Sequence, residues 1–340
     1  MASGPVLVTG AAGFIGMQVS ERLLARGEHV IGVDALTPYY DPALKRARLE
    51  YLKQHSGFKF YETDLVDAQA TTDIFEAAKP DRIVHLAAQP GVRASIDDPI
   101  ACIRANCDGF VTVLENARRH GVKHLVFASS SSVYGSNRTL PYSTHQPVDH
   151  PISLYAASKK ANELMAHTYA HVHGLPVTGL RFFTVYGPWG RPDMAVYLFT
   201  RAIFEKRPIK IFNNGNMRRD FTYVDDIVEG VIRTLDRPAR RDPAWDPERP
   251  DAATSSAPYR IYNIGNNQPV NLLDFVSILE KVIGRPAIQE LSPLQAGDVI
   301  ETCADISTLQ RDVGFSPSTP LAEGLGRFVT WYRGYHGVKN

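Results

Sequence analysis

The 340-residue sequence predicts an α/β fold, with a doubly wound parallel sheet and a smaller second lobe. Short apolar runs alternate with amphipathic stretches through the first half of the chain, at residues 6–8, 29–33, 82–86 and 124–128. Such alternation is typical of βαβ units, in which helices cover both faces of a parallel sheet. With 44% hydrophobic residues, the chain is also long enough to build a second, smaller lobe beside the sheet.

The elements of the first half can be placed in order along the chain. A helix is predicted over residues 14–26, directly after the first strand, and a second over residues 100–120, before the strand 124–128. A third helix begins at Tyr155 and runs to about residue 173. This alternation of strand and helix is the reason for predicting a parallel sheet.

The second half of the chain is organised differently. Beyond the strand 177–183 the pattern loosens into Pro- and Gly-rich segments such as residues 187–192, with shorter helices between them, where we expect the second lobe. Residues 236–258 have almost no apolar periodicity, so they cannot offset their ordering entropy and are predicted to form a flexible surface insertion. The first domain is assigned to residues 1–182, with returning segments near 223–235 and 260–266, and the lobe to residues 183–222 and 267–333.

The composition favours a small-molecule ligand. The 37 lysines and arginines nearly balance the 36 acidic residues, so no global field attracts nucleic acid or a membrane surface, and neither is expected as a partner. The three cysteines and the scattered histidines lack metal-ligand spacing, so no metal site is expected. The sequence leads directly into a strand without a signal-peptide pattern and has no apolar run of membrane-spanning length. We therefore expect a cytoplasmic protein.

The first strand leads into a glycine-rich turn and the start of a helix. Gly10 permits a tight turn, Gly13 lets the backbone approach a pyrophosphate, and Gly16 allows close packing of helix on strand. Phe14 and Ile15 open the helix, whose free N–H groups and positive dipole end face the phosphates. Three glycines also occur in turns that bind nothing, but their place after the first strand predicts a Rossmann-type dinucleotide site.

An acidic residue ends the next strand. A carboxylate at Asp34 accepts hydrogen bonds from both hydroxyls of the adenosine ribose and repels a 2′-phosphate, which favours NAD over NADP. The alternative is a simple turn residue at the end of a strand. Two further strand ends are expected to flank the cofactor at the carboxyl edge of the sheet, although each can also be an ordinary exit from a strand. They are Asp64 and Leu65 after one strand and Leu86, Ala87 and Ala88 after another.

The strongest catalytic signal lies at the start of the third helix. Tyr155 and Lys159 are four residues apart and therefore lie on one helix face. An ammonium beside a phenol, with a cationic nicotinamide nearby, lowers the pKa of Tyr155 and makes it a usable general base. The serines at residues 129–132 end an earlier strand and offer hydroxyls to a reacting alcohol, although such runs also form turns and caps. Together these features predict hydride and proton transfer at a sugar-like secondary alcohol.

With these motifs the chain resembles, over nearly its whole length, the extended short-chain dehydrogenase/reductases that modify nucleotide sugars, a group of NAD-dependent epimerases and dehydratases. The matching motifs are TGAAGFIG at residues 9–16, HLAA at 85–88, SSSSVYG at 129–135, YAASK at 155–159, RFFTVYGP at 181–188 and RDFTYVDD at 219–226. The resemblance implies NAD as the cofactor and adds Ser129 and Phe182 to the cofactor site.

Within this family the chain looks most like the UDP-glucuronate 4-epimerases. The segments that point to them are residues 34–42, 89–93, 190–195 and 295–299. The family's 4,6-dehydratases carry an Asp-Glu pair before Val-Tyr-Gly, and its UDP-glucuronate decarboxylases usually carry a Glu there, whereas this chain has Ser131 and Ser132. Because serine cannot do the work of those carboxylates, dehydration is not expected and decarboxylation takes second place.

The resemblance also assigns residues to catalysis and to the substrate. Ser130 matches the family's catalytic hydroxyl, with Ser132 as its rival. Two arginines are candidates for the charges of the nucleotide, Arg219 at the pyrophosphate and Arg191 near the sugar or the phosphates, although arginines are also common on solvated surfaces. The other members of the expected substrate site are Arg93, Ser131, Ser132, Thr184, Ala195 and Asp298, of which Asp298 accepts from the uridine ribose.

The resemblance therefore implies a homodimeric enzyme that inverts C4 of a UDP-sugar, UDP-glucuronate or UDP-galacturonate, through a 4-keto sugar and enzyme-bound NADH. Three alternatives stay open: a UDP-glucuronate decarboxylase, an epimerase of UDP-glucose or UDP-N-acetylglucosamine, and a non-catalytic NAD-sensing protein. An intact Tyr155 and Lys159 pair speaks against the last, because a binding module needs no activated phenol. The homodimer is expected to form through the helices at residues 100–120 and 155–173, whose apolar faces sheet packing also demands.

Overall fold

The structure is a computed structural model that describes residues 4–294 and 299–338. Its strands are β1 Val6–Thr9, β2 Val30–Asp34, β3 Phe58–Glu62, β4 Arg82–His85, β5 His124–Ser130, β6 Val177–Phe182, β7 Thr184–Tyr186, β8 Pro208–Phe212, β9 Arg218–Tyr223, β10 Tyr259–Ile264, β11 Pro269–Asn271 and β12 Ile288–Ser292. Its helices are α1 Phe14–Ala25, α2 Pro42–Leu52, α3 Ala68–Ala78, α4 Ala94–Asp97, α5 Pro99–Ile103, α6 Gly109–Arg119, α7 Leu154–His173, α8 Ala195–Phe204, α9 Val224–Leu235, α10 Leu272–Ile283, α11 Ser307–Val313 and α12 Leu321–His336. A π-helical stretch, Arg104–Asp108, joins α5 to α6, and a 3₁₀ turn, Ser131–Tyr134, follows β5.

Among the described residues, seven strands form the main sheet in the order β3-β2-β1-β4-β5-β6-β10, and every neighbouring pair is parallel. Successive side chains of a strand point to opposite faces, so Val6 and Val8 enter one hydrophobic core while Leu7 enters the other. A sheet that buries both faces in this way needs helices on each side. The predicted fold class, a doubly wound parallel sheet of Rossmann type, is confirmed.

Helices cover the two faces of this sheet. On one face α1 packs against α9, and α9 also contacts β4 and β5, while on the other face α6 packs against α3 and α7. The strand order reverses at β1, which has β2 on one side and β4 on the other. At such a reversal the connecting segments diverge and leave a crevice at the carboxyl edge of the sheet. Within the described ranges, no helix has both the length and the apolar character needed to cross a bilayer.

The second lobe contains two small sheets, β11-β9-β7 and β12-β8, together with α8, α10 and α12. Its core is continuous with that of the main sheet, since Phe275 and Phe328 belong to the same buried cluster as Val6. Farther along the chain, α9 packs on the main sheet and β10 joins its edge, while the division of the chain into two domains stays a prediction. The lobe therefore rests directly on the sheet that supports it.

The segment at residues 236–258, which we predicted to be a flexible surface insertion, contacts the rest of the protein near both of its ends. Asp236 forms ion pairs with Arg26 and Arg82. Ala253 and Ser255 are buried, and the Ala253 carbonyl accepts a 2.9 Å hydrogen bond from the Ile261 N–H. The two ends of the segment are thus packed against the first domain, and flexibility of the stretch between them stays a prediction.

Candidate active site

A cleft of about 300 Å³ lies at the carboxyl edge of the main sheet, where the strand order reverses. It is bounded by the loops after β1, β2, β3 and β4, by the start of α7 and by a loop of the second lobe. The cleft is lined by all the residues expected at the cofactor: Gly10, Gly13, Phe14, Ile15, Gly16, Asp34, Asp64, Leu65, Leu86, Ala87, Ala88, Ser129, Tyr155, Lys159 and Phe182. The structure thus brings the expected cofactor residues together, while their roles stay predictions.

The glycine-rich turn has no room for side chains. Gly10 has a φ of +70°, and a Cβ there would lie 2.8 Å from the Ala87 backbone nitrogen. A Cβ on Gly16 would lie only 2.0 Å from the Gly10 carbonyl oxygen. Because Gly13, at the start of α1, has no side chain to cap the helix, the N–H groups of its first turn are available to an anion in the cleft.

Asp34 is held in one orientation at the end of β2. Its carboxylate accepts hydrogen bonds from the Ala12 N–H at 3.1 Å and from the Leu36 N–H at 2.9 Å, one on each oxygen. A carboxylate oxygen can accept more than one hydrogen bond, so both oxygens can also receive ribose hydroxyls. The turn that holds Asp34 thus also orients it towards the cleft that it lines.

Ser130, Tyr155 and Lys159 meet at the junction of β5 and α7. The Ser153 hydroxyl caps α7 by accepting from the Ala156 N–H at 3.1 Å, which fixes the helix start from which Tyr155 projects. Lys159 is buried, and its Nζ donates to the Ala128 carbonyl at 2.9 Å. The Ser130 side chain lies close enough to the Tyr155 phenol to lower its pKa. The alcohol and the phenol expected at the reaction centre are therefore neighbours.

Burial shifts the pKa values of two members of this group. Burial raises the pKa of Tyr155 above its ordinary value, and the Ser130 side chain and the Arg191 charge lower it by less. Burial also lowers the pKa of Lys159 to about 8. Among the protein groups burial therefore dominates, and it leaves the Tyr155 phenol protonated near neutral pH. The lowering of this pKa by Lys159 together with a cationic nicotinamide stays a prediction.

The four serines at residues 129–132, two at the end of β5 and two in the 3₁₀ turn, differ in their surroundings. Ser129 is buried and donates to the Glu163 carboxylate at 2.7 Å, so its hydroxyl is already engaged. Ser131 and Ser132 are partly exposed in the 3₁₀ turn, and the Ser132 N–H donates to the Ser130 hydroxyl at 3.1 Å. The geometry places Ser130 rather than Ser132 beside Tyr155.

On the side of the second lobe, Arg191 lines the cleft together with Met194. The Arg191 guanidinium grips the Asp193 carboxylate through two hydrogen bonds, at 3.0 Å and 2.5 Å. Asp193 also accepts from the Tyr39 hydroxyl at 3.1 Å, and Tyr39 belongs to the loop after β2. This chain of contacts joins the cofactor side of the cleft to the lobe.

Other expected substrate residues lie outside the lining of this cleft. Arg93 is exposed and stacks on the Phe212 ring of β8, 5.6 Å from its centroid. The Arg219 guanidinium donates to the Arg218 and Ile300 carbonyls. The expected substrate residues that do not line the cleft are Arg93, Ser131, Ser132, Thr184, Ala195 and Arg219. Asp298 lies outside the described residues.

Two buried groups beside the cleft escaped the sequence analysis. Glu163, one helical turn after Lys159, forms a doubly hydrogen-bonded ion pair with Arg181 of β6. Asn106 lies in the π-helical stretch, where its side-chain amide accepts from the Gln89 N–H at 2.7 Å and donates to the Ser158 hydroxyl at 3.0 Å. The signal for Glu163 was its spacing on the face of Lys159, while nothing in the sequence marks the π-helical turn that aims Asn106.

Comparison with known proteins extends this picture over the whole chain. The model of the NAD dependent epimerase/dehydratase family matches residues 6–265. The probable UDP-glucuronate 4-epimerase of Rhizobium meliloti (strain 1021) is 47% identical over 327 residues, which are 96% of each chain. UDP-glucuronate 4-epimerase 3 of Arabidopsis thaliana is 46% identical over 336 residues, which are 97% of this chain and 77% of that protein. The crystal structure of UDP-glucuronic acid 4-epimerase from Bacillus cereus, in complex with UDP-glucuronic acid and NAD, matches with a TM-score of 0.86 at 30% identity and covers 97% of this chain and 99% of that chain.

Proposed function

The chain belongs to the NAD dependent epimerase/dehydratase family, and from that premise we propose that it is an isomerase that inverts C4 of a UDP-sugar with NAD as its cofactor. Glucuronate and galacturonate are the favoured sugars, because relatives 47% and 46% identical bear the name UDP-glucuronate 4-epimerase. The observation that carries the proposal is a single cleft lined by both the glycine-rich turn and the pair Tyr155 and Lys159. Cofactor binding and proton transfer then occur within reach of each other.

The residues at the cofactor end fit NAD. The glycine turn leaves space for a pyrophosphate against bare backbone, and the start of α1 supplies N–H donors to it. Asp34 is oriented by two backbone N–H groups and has acceptor capacity left for both ribose hydroxyls. NAD held there would supply the hydride acceptor and donor that oxidation and re-reduction of C4 require.

Tyr155 is the proposed acid and base. It accepts the proton of the C4 hydroxyl as the sugar becomes a 4-ketose, and it returns that proton once the sugar has turned its other face. Ser130, which lies beside Tyr155, holds the reacting oxygen in line. Because burial raises the pKa of Tyr155, its phenolate form would need the positive charges of Lys159 and of a nicotinamide ring bound beside it.

A uronic acid poses a special problem, since its 4-keto form is a β-keto acid that loses carbon dioxide when the carboxylate aligns with the carbonyl π system. We place Arg191 beside the sugar, because it lines the cleft and its charge acts on Tyr155. Ser131, Ser132 and Thr184 are proposed to hold the carboxylate out of that alignment. Replacing these serines by alanine is expected to raise the yield of pentose product, and a yield that never rises contradicts this role.

The remaining assignments concern the nucleotide and the assembly. Arg219 and Arg93 are proposed for the pyrophosphate, with Ala195 nearby and Asp298 at the uridine ribose. A homodimer through α5, α6 and α7 is supported by exposed apolar side chains on those helices, with Ile100 79%, Leu164 58% and Val172 62% exposed. A cytoplasmic location is part of the same proposal.

The deciding experiment is to incubate the purified protein with UDP-glucuronate, without added cofactor, and to follow the anomeric protons by NMR. We expect UDP-galacturonate to accumulate to a stable ratio, which establishes both the epimerase and its retained NAD. UDP-xylose or a 4-keto pentose instead indicates a decarboxylase. No change, in this incubation and in one with added NAD, contradicts the assignment to uronic acids and leads to tests with UDP-glucose and UDP-N-acetylglucosamine.

A further inference from the structure

Arg191 reaches the cleft from a backbone of unusual conformation. Trp189, two residues earlier, has a φ of +64°, a backbone conformation that residues other than glycine rarely adopt. The Gly190 N–H closes a turn on the Gly187 carbonyl at 3.0 Å, and the next residue is Arg191 itself. A strained turn of this kind persists only where surrounding groups hold it, so the contacts of this loop decide where Arg191 points.

Three consecutive carbonyls of the loop accept hydrogen bonds from side chains of the first domain. Gln18 of α1 donates to the Pro188 carbonyl at 3.2 Å. Arg48 of α2 donates to the Trp189 carbonyl at 2.7 Å and approaches the Gly190 carbonyl at 3.5 Å. The loop that carries Arg191 is therefore fastened, through its backbone, to the helices that flank the cofactor turn.

Arg48 also contacts the cofactor turn itself. Its other terminal nitrogen donates to the Ala12 carbonyl at 2.9 Å and to the Tyr40 hydroxyl at 2.6 Å. Its side chain is fully buried, and its hydrogen bonds within residues 4–294 and 299–338 go to backbone carbonyls and the Tyr40 hydroxyl rather than to a carboxylate. A buried charge without a carboxylate is costly, and the planar fork of an arginine can satisfy several fixed carbonyls at once. One guanidinium thus links the glycine-rich turn to the loop of Arg191.

We infer that Arg48 is a positioning residue that sets the preference for sugars bearing a carboxylate, by fixing the Trp189 turn from which Arg191 reaches the sugar. The inference rests on the proposed function, in which Arg191 lies beside the sugar. Arg48 itself touches neither the sugar nor the reacting atoms. Its effect on sugar preference acts through the position of Arg191, and the binding of UDP is not expected to depend on it.

A lysine at position 48 separates the positioning of Arg191 from the effect of the buried positive charge. Arg48→Lys keeps the buried positive charge but replaces a fork of fixed donors with a single ammonium, which cannot reach the Ala12 and Trp189 carbonyls in the same geometry. Arg48→Met removes the charge as well. Arg46→Lys on the same helix is the matched control, because Arg46 is exposed.

The experiment uses the NAD-loaded protein and three ligands that differ in one feature each: UDP-glucuronate, UDP-glucose and UDP. Titration calorimetry gives the three dissociation constants, and steady-state kinetics with UDP-glucuronate gives kcat and KM. For Arg48→Lys we expect about tenfold weaker binding of UDP-glucuronate with a matching rise in KM, and less than about twofold change for UDP-glucose and UDP. Arg48→Met is expected to behave at least as badly, and Arg46→Lys as wild type.

Equal losses for all three ligands show a general structural role and overturn the inference. An Arg48→Lys protein that binds like wild type also overturns it, even if Arg48→Met is impaired, because charge alone then suffices. If Arg48→Lys does not fold, the Gln18→Leu variant is measured instead, since Gln18 bonds only the Pro188 carbonyl of the same loop. If the ratio of its dissociation constants for UDP-glucuronate and UDP-glucose is higher than that of wild type, the inference is supported. An unchanged ratio overturns it. Failure of the proposed function is separate, because wild type itself then leaves UDP-glucuronate unchanged.

Discussion

The cofactor side and the substrate side of the cleft are assembled over very different distances in sequence. Gly10 and Gly16 act together within a single turn, and Tyr155 and Lys159 within a single turn of helix. On the substrate side, Gln18 holds a carbonyl 170 residues away and Arg48 one 141 residues away. A local motif survives in almost any packing, whereas a distant contact exists only when the whole domain has folded. Chemistry should therefore depend on the first side and selectivity on the second.

The largest effect is expected from Tyr155→Phe, which removes only the hydroxyl that lies near Ser130. Loss of general acid and base catalysis should lower kcat on UDP-glucuronate by about 10²- to 10⁴-fold. The dissociation constant for UDP and the melting temperature should stay near those of wild type, since the ring remains. Tyr335→Phe on α12 is the control. If Tyr155→Phe turns over normally, the cofactor side does not carry the chemistry and the division between the two sides fails.

The buried ion pair of Glu163 and Arg181 lies next to the cofactor side of the cleft, where Glu163 also accepts a hydrogen bond from Ser129. Glu163→Gln should lower the free energy of unfolding by about 3–5 kcal/mol, because it leaves the Arg181 charge buried without its partner. Glu50→Gln, at a side chain 70% exposed, should change it by less than about 0.5 kcal/mol. Denaturant unfolding at pH 7 measures both. A loss below 1 kcal/mol for Glu163→Gln would mean that the pair merely fills space.

The same pair has a definite dependence on pH. Burial alone raises the pKa of Glu163, but Arg181 and the Ser129 hydroxyl outweigh it and hold that pKa below its ordinary 4.5. A carboxyl whose native pKa is depressed contributes stability that is complete above its unfolded pKa and is lost as the pH falls through the native one. The difference between wild type and Glu163→Gln should thus be constant from pH 6 to 8 and shrink below about pH 4.5.

The difference in sequence distance also explains what the sequence alone could predict. The fold class follows from the alternation of strands and helices along the first half of the chain. The glycine turn, Asp34 and the pair Tyr155 and Lys159 each lie within one element or one turn. Arg48, by contrast, reads as one more basic residue on an amphipathic helix, and only the folded chain brings it to the Trp189 carbonyl. The burial of Tyr155 and the hydrogen bond from Lys159 to the Ala128 carbonyl could not be predicted for the same reason, because both are properties of packing.

Substitution of Asp220, on the substrate side of the cleft, should have an effect of intermediate size. Its buried carboxylate accepts from the backbone N–H groups of Asn266, Asn267 and Ala304, and so ties two loops to β9 next to Arg219. Asparagine turns an N–H₂ group towards those donors, which should lower the free energy of unfolding by about 1–3 kcal/mol. It should also weaken binding of UDP while leaving the NAD content of the protein unchanged.

Asp225→Asn, on the neighbouring helix α9, is the matched control, because its carboxylate is 46% exposed. Calorimetric binding of UDP and the absorbance of retained cofactor give the two readings. Loss of NAD together with UDP in Asp220→Asn would show that the two sides of the cleft are not separable, and the comparison drawn above would have to be abandoned.

The smallest effect is expected at the surface of the lobe, where Glu205 accepts from Arg201 and Arg207 at the end of α8. These hydrogen bonds lower the pKa of Glu205, yet its side chain is 43% exposed and that of Arg201 54%. Water and salt screen such pairs, and ordering two long side chains offsets much of the attraction, so Glu205→Gln should cost less than about 0.5 kcal/mol of unfolding free energy. Asp220 is buried and accepts hydrogen bonds from backbone N–H groups, so for it the loss should be several times larger. Denaturant unfolding of both variants at low and high salt measures these losses. Only the loss of unfolding free energy in Glu205→Gln should become smaller at high salt. If the losses in Glu205→Gln and Asp220→Asn are equal, exposed charge rather than buried backbone hydrogen bonding stabilises the lobe.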